Sequence, residues 1–122
     1  MTDSLQLTTI VQTPVPAGER AAITLTAVNV SGRPLELYLA GREPTADVVV
    51  RDAAGAVIWQ KLRGAAVQAI VQLKLLPAGD SLTLHESWDV PDTASGEYLI
   101  EAVLLTDAAP LRFPRGRITV GR

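Results

Sequence analysis

The sequence predicts an all-β protein: an antiparallel β-sandwich of immunoglobulin-like architecture with about eight or nine strands. Three observations carry that expectation. Apolar and polar residues alternate over short runs, most cleanly from Ala21 to Val28. Clusters rich in Gly, Pro, Asn and Asp interrupt the runs about every 8–12 residues. No stretch shows the repeat of an amphipathic helix. At 122 residues the chain is the size of one domain, 1–122, large enough to bury a core without staples. It has no cysteine, so disulfides and thiolate metal sites are excluded.

Leu5 to Gln12 alternates as a first strand, and Pro14-Val15-Pro16-Ala17-Gly18-Glu19 breaks it into a turn. In the second strand Ala21, Ile23, Leu25 and Ala27 share one face, and Ala22, Thr24, Thr26 and Val28 the other. Asn29 to Pro34 supplies turn residues, after which Leu35, Leu37 and Leu39 line the inner face of a third strand against Glu36 and Tyr38. A loop from Gly41 to Thr45 leads into the central hairpin.

That hairpin pairs Asp47-Val48-Val49-Val50-Arg51-Asp52 with Val57-Ile58-Trp59-Gln60-Lys61. Asp52 suits the first position of a type I turn, and Gly55 the left-handed residue closing a three-residue loop with a bulge. This loop predicts Val50 opposite Ile58, Val49 opposite Trp59, Val48 opposite Gln60 and Asp47 opposite Lys61, the last a pair of opposite charges. Val48, Val50 and Ile58 then make an uncharged face. Val49, Val57 and Trp59 share the other face with Asp47, Arg51 and Lys61.

Leu62 to Ala69 has no clear period and leaves room for a short helical turn. Val71, Leu73 and Leu75 alternate with Gln72 and Lys74. Pro77-Ala78-Gly79-Asp80 then nearly repeats Pro16-Ala17-Gly18-Glu19, each turn preceding an alternating strand, as if two sheets used similar edges. Leu82, Leu84 and Trp88 keep one phase, with Glu86 out of place, which predicts a bulge or the sandwich rim there. After the turn Pro91 to Gly96, Tyr98, Ile100, Ala102 and Leu104 begin a long strand, with Tyr98 placed to act as a tyrosine corner. Asp107 to Gly116, with Pro110 and Pro114, reads as an extended exposed loop before a last strand holding Ile118 and Val120.

Little in this chain resembles catalytic machinery. The sole histidine, His85, lies on the polar phase of its strand with Ser81, Thr83 and Ser87, and no glycine-bracketed serine marks a nucleophile elbow. Asp89, Asp92 and Glu97 lie close in sequence, but their spacing departs from the calcium-loop pattern, and turn-forming aspartates explain them. Asn29-Val30-Ser31 matches a glycosylation acceptor, which has no meaning in a chain expected to carry no export signal. No phosphate loop is present, and neither an enzyme nor a cofactor is expected. A formal charge of −2, with both signs interspersed, gives no footprint for nucleic acid or an anionic membrane. The start carries no signal-like segment, and no run approaches a membrane span, so a cytoplasmic location is expected.

Two surfaces are candidates for a partner protein. The face of Val49, Val57 and Trp59 exposes a tryptophan among charges if it is wet, or is core if the faces are swapped. In the loop 107–116, two prolines limit the entropy lost on docking and present Leu111, Arg112 and Phe113. The other reading of that loop is a plain connection whose Leu111 and Phe113 cover the end of the sandwich. Both a monomer and a dimer paired through sheet edges fit the pattern.

The set Gly41, Asp47, Gly55, Ile58 with Trp59, Pro77 with Gly79 and Asp80, Trp88, and Gly96 with Tyr98 resembles, in this order, the pattern of the BsuPI family of intracellular proteinase inhibitors. The likeness covers the chain from Gly41 to Leu104. The spacer from Gly41 to Asp47 departs from it, being longer and carrying Pro44. The resemblance implies a cytoplasmic module that binds and blocks a subtilisin-type serine protease. It carries over no inhibitory loop, and the expected contacts are 107–116 first, with Arg112 or Phe113 in the specificity pocket, and 62–69 second. The competing expectation is an interaction module that holds a partner through the Trp59 face and inhibits nothing.

Overall fold

The computed structural model describes residues 4–41, 43–63, 70–107 and 110–121. The chain runs through β1 (Leu5–Val11), β2 (Val15–Pro16), β3 (Arg20–Asn29), β4 (Leu35–Ala40), β5 (Ala46–Arg51) and β6 (Val57–Gln60). It continues through β7 (Val71–Leu76), β8 (Ser81–Asp89), β9 (Gly96–Leu104), β10 (Leu111–Arg112) and β11 (Gly116–Gly121). Nine of these are the expected strands; the two-residue β2 and β10 form inside segments whose prolines read as turn and loop. Among the described residues no helix is long and apolar enough to cross a membrane.

The strands form an all-β sandwich. One sheet has the order β1-β3-β8 and the other β2-β11-β9-β5-β6, with β10 beside β11 on β9. The antiparallel pair β4-β7 joins the second sheet through a Leu39–Thr106 bridge and a bond from Ala40 N–H to Leu105 O. Ile23 and Leu25 from the first sheet meet Val48, Val50, Ile100, Leu104 and Ile118 from the second, all fully buried. Each such side chain contributes about 1.5–3 kcal/mol. Trp88 is also buried, its ring 5.3 Å from that of Tyr98 and tilted by 59°. The Tyr98 hydroxyl accepts a bond from Ser95 N–H, tying β9 to the preceding loop as a tyrosine corner does.

The two near-identical turns lead into neighbouring strands of one sheet, β3 and β8, and do not serve two sheets as their sequences suggested. Gly18 and Gly79 have φ of 85° and 83°, as the third residue of a type II turn requires. Each turn also clasps the far end of the other strand. Gly18 N–H bonds Val90 O and Val90 N–H bonds Glu19 O, while Gly79 N–H bonds Asn29 O and Asn29 N–H bonds Asp80 O.

The glycosylation match has a structural explanation. Asn29 is buried, its amide donating to Arg33 O and Leu76 O and accepting from the Ser31 N–H and hydroxyl. All four hydrogen-bonding positions of the side chain are used, which no glycan attachment could allow.

The hairpin register differs from the expectation by a second bulge. The turn itself is as read: Asp52 N–H bonds Ala56 O, Gly55 N–H bonds Asp52 O, and Arg51 faces Val57. The register then slips, so that Val50 faces Trp59 and Val49 faces Gln60, leaving Ile58 as the extra residue. Ile58 is therefore exposed, and Trp59 packs against the core on the Val50 side. Asp47 does not face Lys61 as expected. Its carboxylate accepts from the Gln60 amide and from Leu62 N–H.

Lys61 instead reaches Glu86 Oε1 of β8 at 2.9 Å, across the open side between β6 and β8. Glu86 is thus a rim residue, and β8 pairs with β3 without a bulge. On β7 the apolar row points outward: Val71, Leu73 and Leu75 are exposed, whereas Leu76 is buried.

Candidate functional site

β9 is the strand that builds the candidate surface, because both of its edges are taken. β5 pairs along one edge, and β11 followed by β10 along the other. The outward phase of these strands brings Val49 and Arg51, Glu101 and Val103, and Arg112 together. With Asp47 and Pro110 they line a depression of about 230 Å³.

Charge in this depression is organised around Glu101. Arg51 Nε lies 2.9 Å from Glu101 Oε1, and Arg115 Nε 3.1 Å from Oε2. The hydrogen bond from Arg51 lowers the Glu101 pKa below the ordinary value. Partial burial opposes this, while the charges of Arg51, Arg115 and Arg112 add to it. Arg51 also donates from Nη1 to Gly55 O, so β5, its hairpin turn and β9 are tied at one point. Arg112 stands exposed beside this network.

The segment 107–116 is not an extended exposed loop. Leu111 faces Leu104 and Arg112 faces Val103, and Phe113 N–H donates to Ala102 O. Alternation along this short strand sends Leu111 against the core and buries Phe113, leaving Arg112 to point out. Phe113 is therefore a core residue that cannot enter a partner's pocket without unfolding the edge. Because Phe113 N–H points to β9, the ladder turns the Arg112 N–H and C=O away from it. Positions 108 and 109 lie outside the described residues.

The residues of the second surface are not brought together. Val49 is half-buried in the depression, Val57 is exposed near the hairpin turn, and the bulge carries Trp59 to the inner side. Of the second loop, Leu62 and Arg63 form a turn, and 64–69 lie outside the described residues. His85 is exposed on β8, where it lines a depression of about 320 Å³ with Glu43, Pro44 and Glu86. Asp89 pairs with Arg20 and Glu97 with Arg117. Among the described residues no three His, Asp or Glu side chains come together as metal ligands. Sequence reasoning missed Arg51, Glu101 and Arg115 as a network. The one available signal was that Arg51 and Glu101 occupy outward phases of strands that prove to be neighbours.

The family model BsuPI, described as intracellular proteinase inhibitor, matches residues 8–109. No curated protein matches the sequence. The sporulation control protein Spo0M of Bacillus subtilis is similar with a TM-score of 0.59 at 12% identity, over 98% of this chain and 50% of that one. The alkylpurine DNA glycosylase AlkC of Pseudomonas fluorescens, whose structure holds DNA with an abasic site analog, gives 0.56 at 13%, over 98% and 31%. A CARDB domain from Pyrococcus furiosus gives 0.51 at 16%, over 96% and 94%. At these identities the likeness is one of fold, and the chain spans about a third of AlkC and half of Spo0M.

Proposed function

The chain belongs to the BsuPI family of intracellular proteinase inhibitors, and from that premise we propose that it acts in the cytoplasm by binding a subtilisin-type serine protease through β10 and blocking it. The family match over residues 8–109 carries the reading. The build of β10 supports the choice of contact. A protease cleft binds its ligand as an extended strand, pairing backbone groups and filling a pocket with one side chain. Arg112 offers an outward backbone edge and an exposed guanidinium, while Leu111 and Phe113 anchor it from below. Pro110 and Pro114 flank the segment, so little entropy remains to be lost on docking. The alternative contact, a tryptophan anchor on the hairpin, has no comparable support because Trp59 turns inward.

The test is a titration of a subtilisin-type protease with the purified protein, followed by residual activity. A break near equimolar ratio is expected. Arg112→Ala, which removes an exposed side chain and leaves the anchors in place, is expected to weaken inhibition at least about tenfold, or roughly 1.4 kcal/mol. Flat activity in the first titration overturns the inhibitor reading. Inhibition unchanged by the variant overturns the β10 contact.

A further inference from the structure

The outer side of β7 combines two features that folded monomers rarely leave open together. Val71, Leu73 and Leu75 are 49%, 48% and 57% exposed, and Tyr38, which faces Leu73 from β4, is 48% exposed. The strand is also an edge, for among the described residues it pairs only with β4. The direction of its backbone groups follows from one bond. Gly41 N–H donates to Ile70 O, so Ile70 points its backbone groups toward β4. Alternation then turns the N–H and C=O of Val71, Leu73 and Leu75 to the open edge. The residues that carry the apolar row are the residues that offer unpaired backbone groups.

We infer that β7 is the contact between two copies of this chain, paired antiparallel about a two-fold axis that passes through Leu73. Outward-directed backbone groups must face one another in a new ladder, so Val71, Leu73 and Leu75 of one copy can face only these residues of the other. The register of greatest overlap sets Leu73 against Leu73 and Val71 against Leu75, each pair exchanging two hydrogen bonds. This register also continues the apolar face, with the Tyr38 and Leu73 of both copies side by side. On the opposite face it sets Gln72 against Lys74 of the second copy. Among the described residues Gln72 Oε1 is buried without a hydrogen-bond partner, and turning its amide toward the edge would bring it to a lysine ammonium on the same face. The pairing is thus self-complementary in backbone bonds, apolar contact and this polar pair, as a two-fold interface requires. One short strand per copy puts the contact at the small end of protein interfaces, so the dimer is a weak one that dissociates on dilution.

The full chain, which contains no cysteine, allows a direct test. Sedimentation across a dilution series is expected to show reversible passage from twice the chain mass to one. Leu73→Lys is expected to remain monomeric at every concentration while melting as the parent protein does at low concentration. A single cysteine at Leu73 lies on the axis, where paired strands hold their Cα atoms about 5.5 Å apart, within disulfide reach. Leu73→Cys is therefore expected to crosslink to itself under mild oxidation, and Ile10→Cys, exposed on β1, to remain uncrosslinked. A monomer at all concentrations, a dimer that Leu73→Lys leaves intact, or equal crosslinking at both positions overturns the inference.

Discussion

Glu101 shows how one side chain couples the candidate surface to stability. Its carboxyl is held below the ordinary value of 4.5, chiefly by the hydrogen bond from Arg51. A folded-state pKa below the unfolded one means that the ion pairs stabilise the fold above pH 4.5 and lose this effect as pH falls through the lowered value. Glu101→Gln is therefore expected to lower Tm near neutral pH and to match the parent protein in acid. A gap of equal size at both ends of a pH series of melting curves would sink this account. Only the outward phases of Arg51 and Glu101 were legible in the sequence; the network itself depends on which strands become neighbours. Phe113 had two readings, a partner contact and a cover for the end of the sandwich, and its burial fits the second; alternation did not choose between them, because a two-residue strand is too short to declare a phase. Tyr98, by contrast, was legible as a corner and Trp88 as sharing the phase of Leu82 and Leu84, each sitting on a long strand of clear period.

Among the elements, turns were the most legible parts and registers the least. Gly41, Gly55, Gly79 and Gly96, all members of the family pattern, adopt φ between 83° and 92°, so the pattern marks where the backbone must turn left-handed. At Gly55 an added methyl meets open space, and alanine there is expected to cost about 1–2 kcal/mol through backbone strain alone. At Gly116 the cause is packing. A Cβ would lie 2.8 Å from Val11 Cγ1 and 3.3 Å from Thr9 Cγ2, where β1 approaches β11. Gly116→Ala is expected to cost about 1–3 kcal/mol, and Gly121→Ala, which meets nothing, about 0.5 kcal/mol or less. Urea unfolding of the three variants checks the order, and a Gly121→Ala loss equal to the other two would sink it. The slip at Ile58 had no such marker. Neither residue type nor spacing distinguishes a bulge from a regular pair when every candidate is apolar, and this one decides that Trp59 faces inward.

For the molecule as a whole, the sandwich was legible because alternation recurs in strand after strand, but alternation reports a period without naming the buried face. On β3 the apolar row faces in, and on β7 a row of the same appearance faces out. Which row is covered depends on partners distant in sequence: β3 finds β8, with Arg20 facing Asp89. Such distant pairings must close long loops before they gain anything, which places folding on the slow side for a domain of this size. The reciprocal turn bonds at both ends of the β3-β8 ladder carry a further consequence. A ladder clasped at each end has no loose end from which to unzip, so its amide protons reach solvent only when the entire molecule opens. The exchange free energy of the Leu25 amide is therefore expected to equal that of urea unfolding, making the centre of β3 a built-in gauge of global stability, and a markedly lower value would mean that the clasps open by themselves.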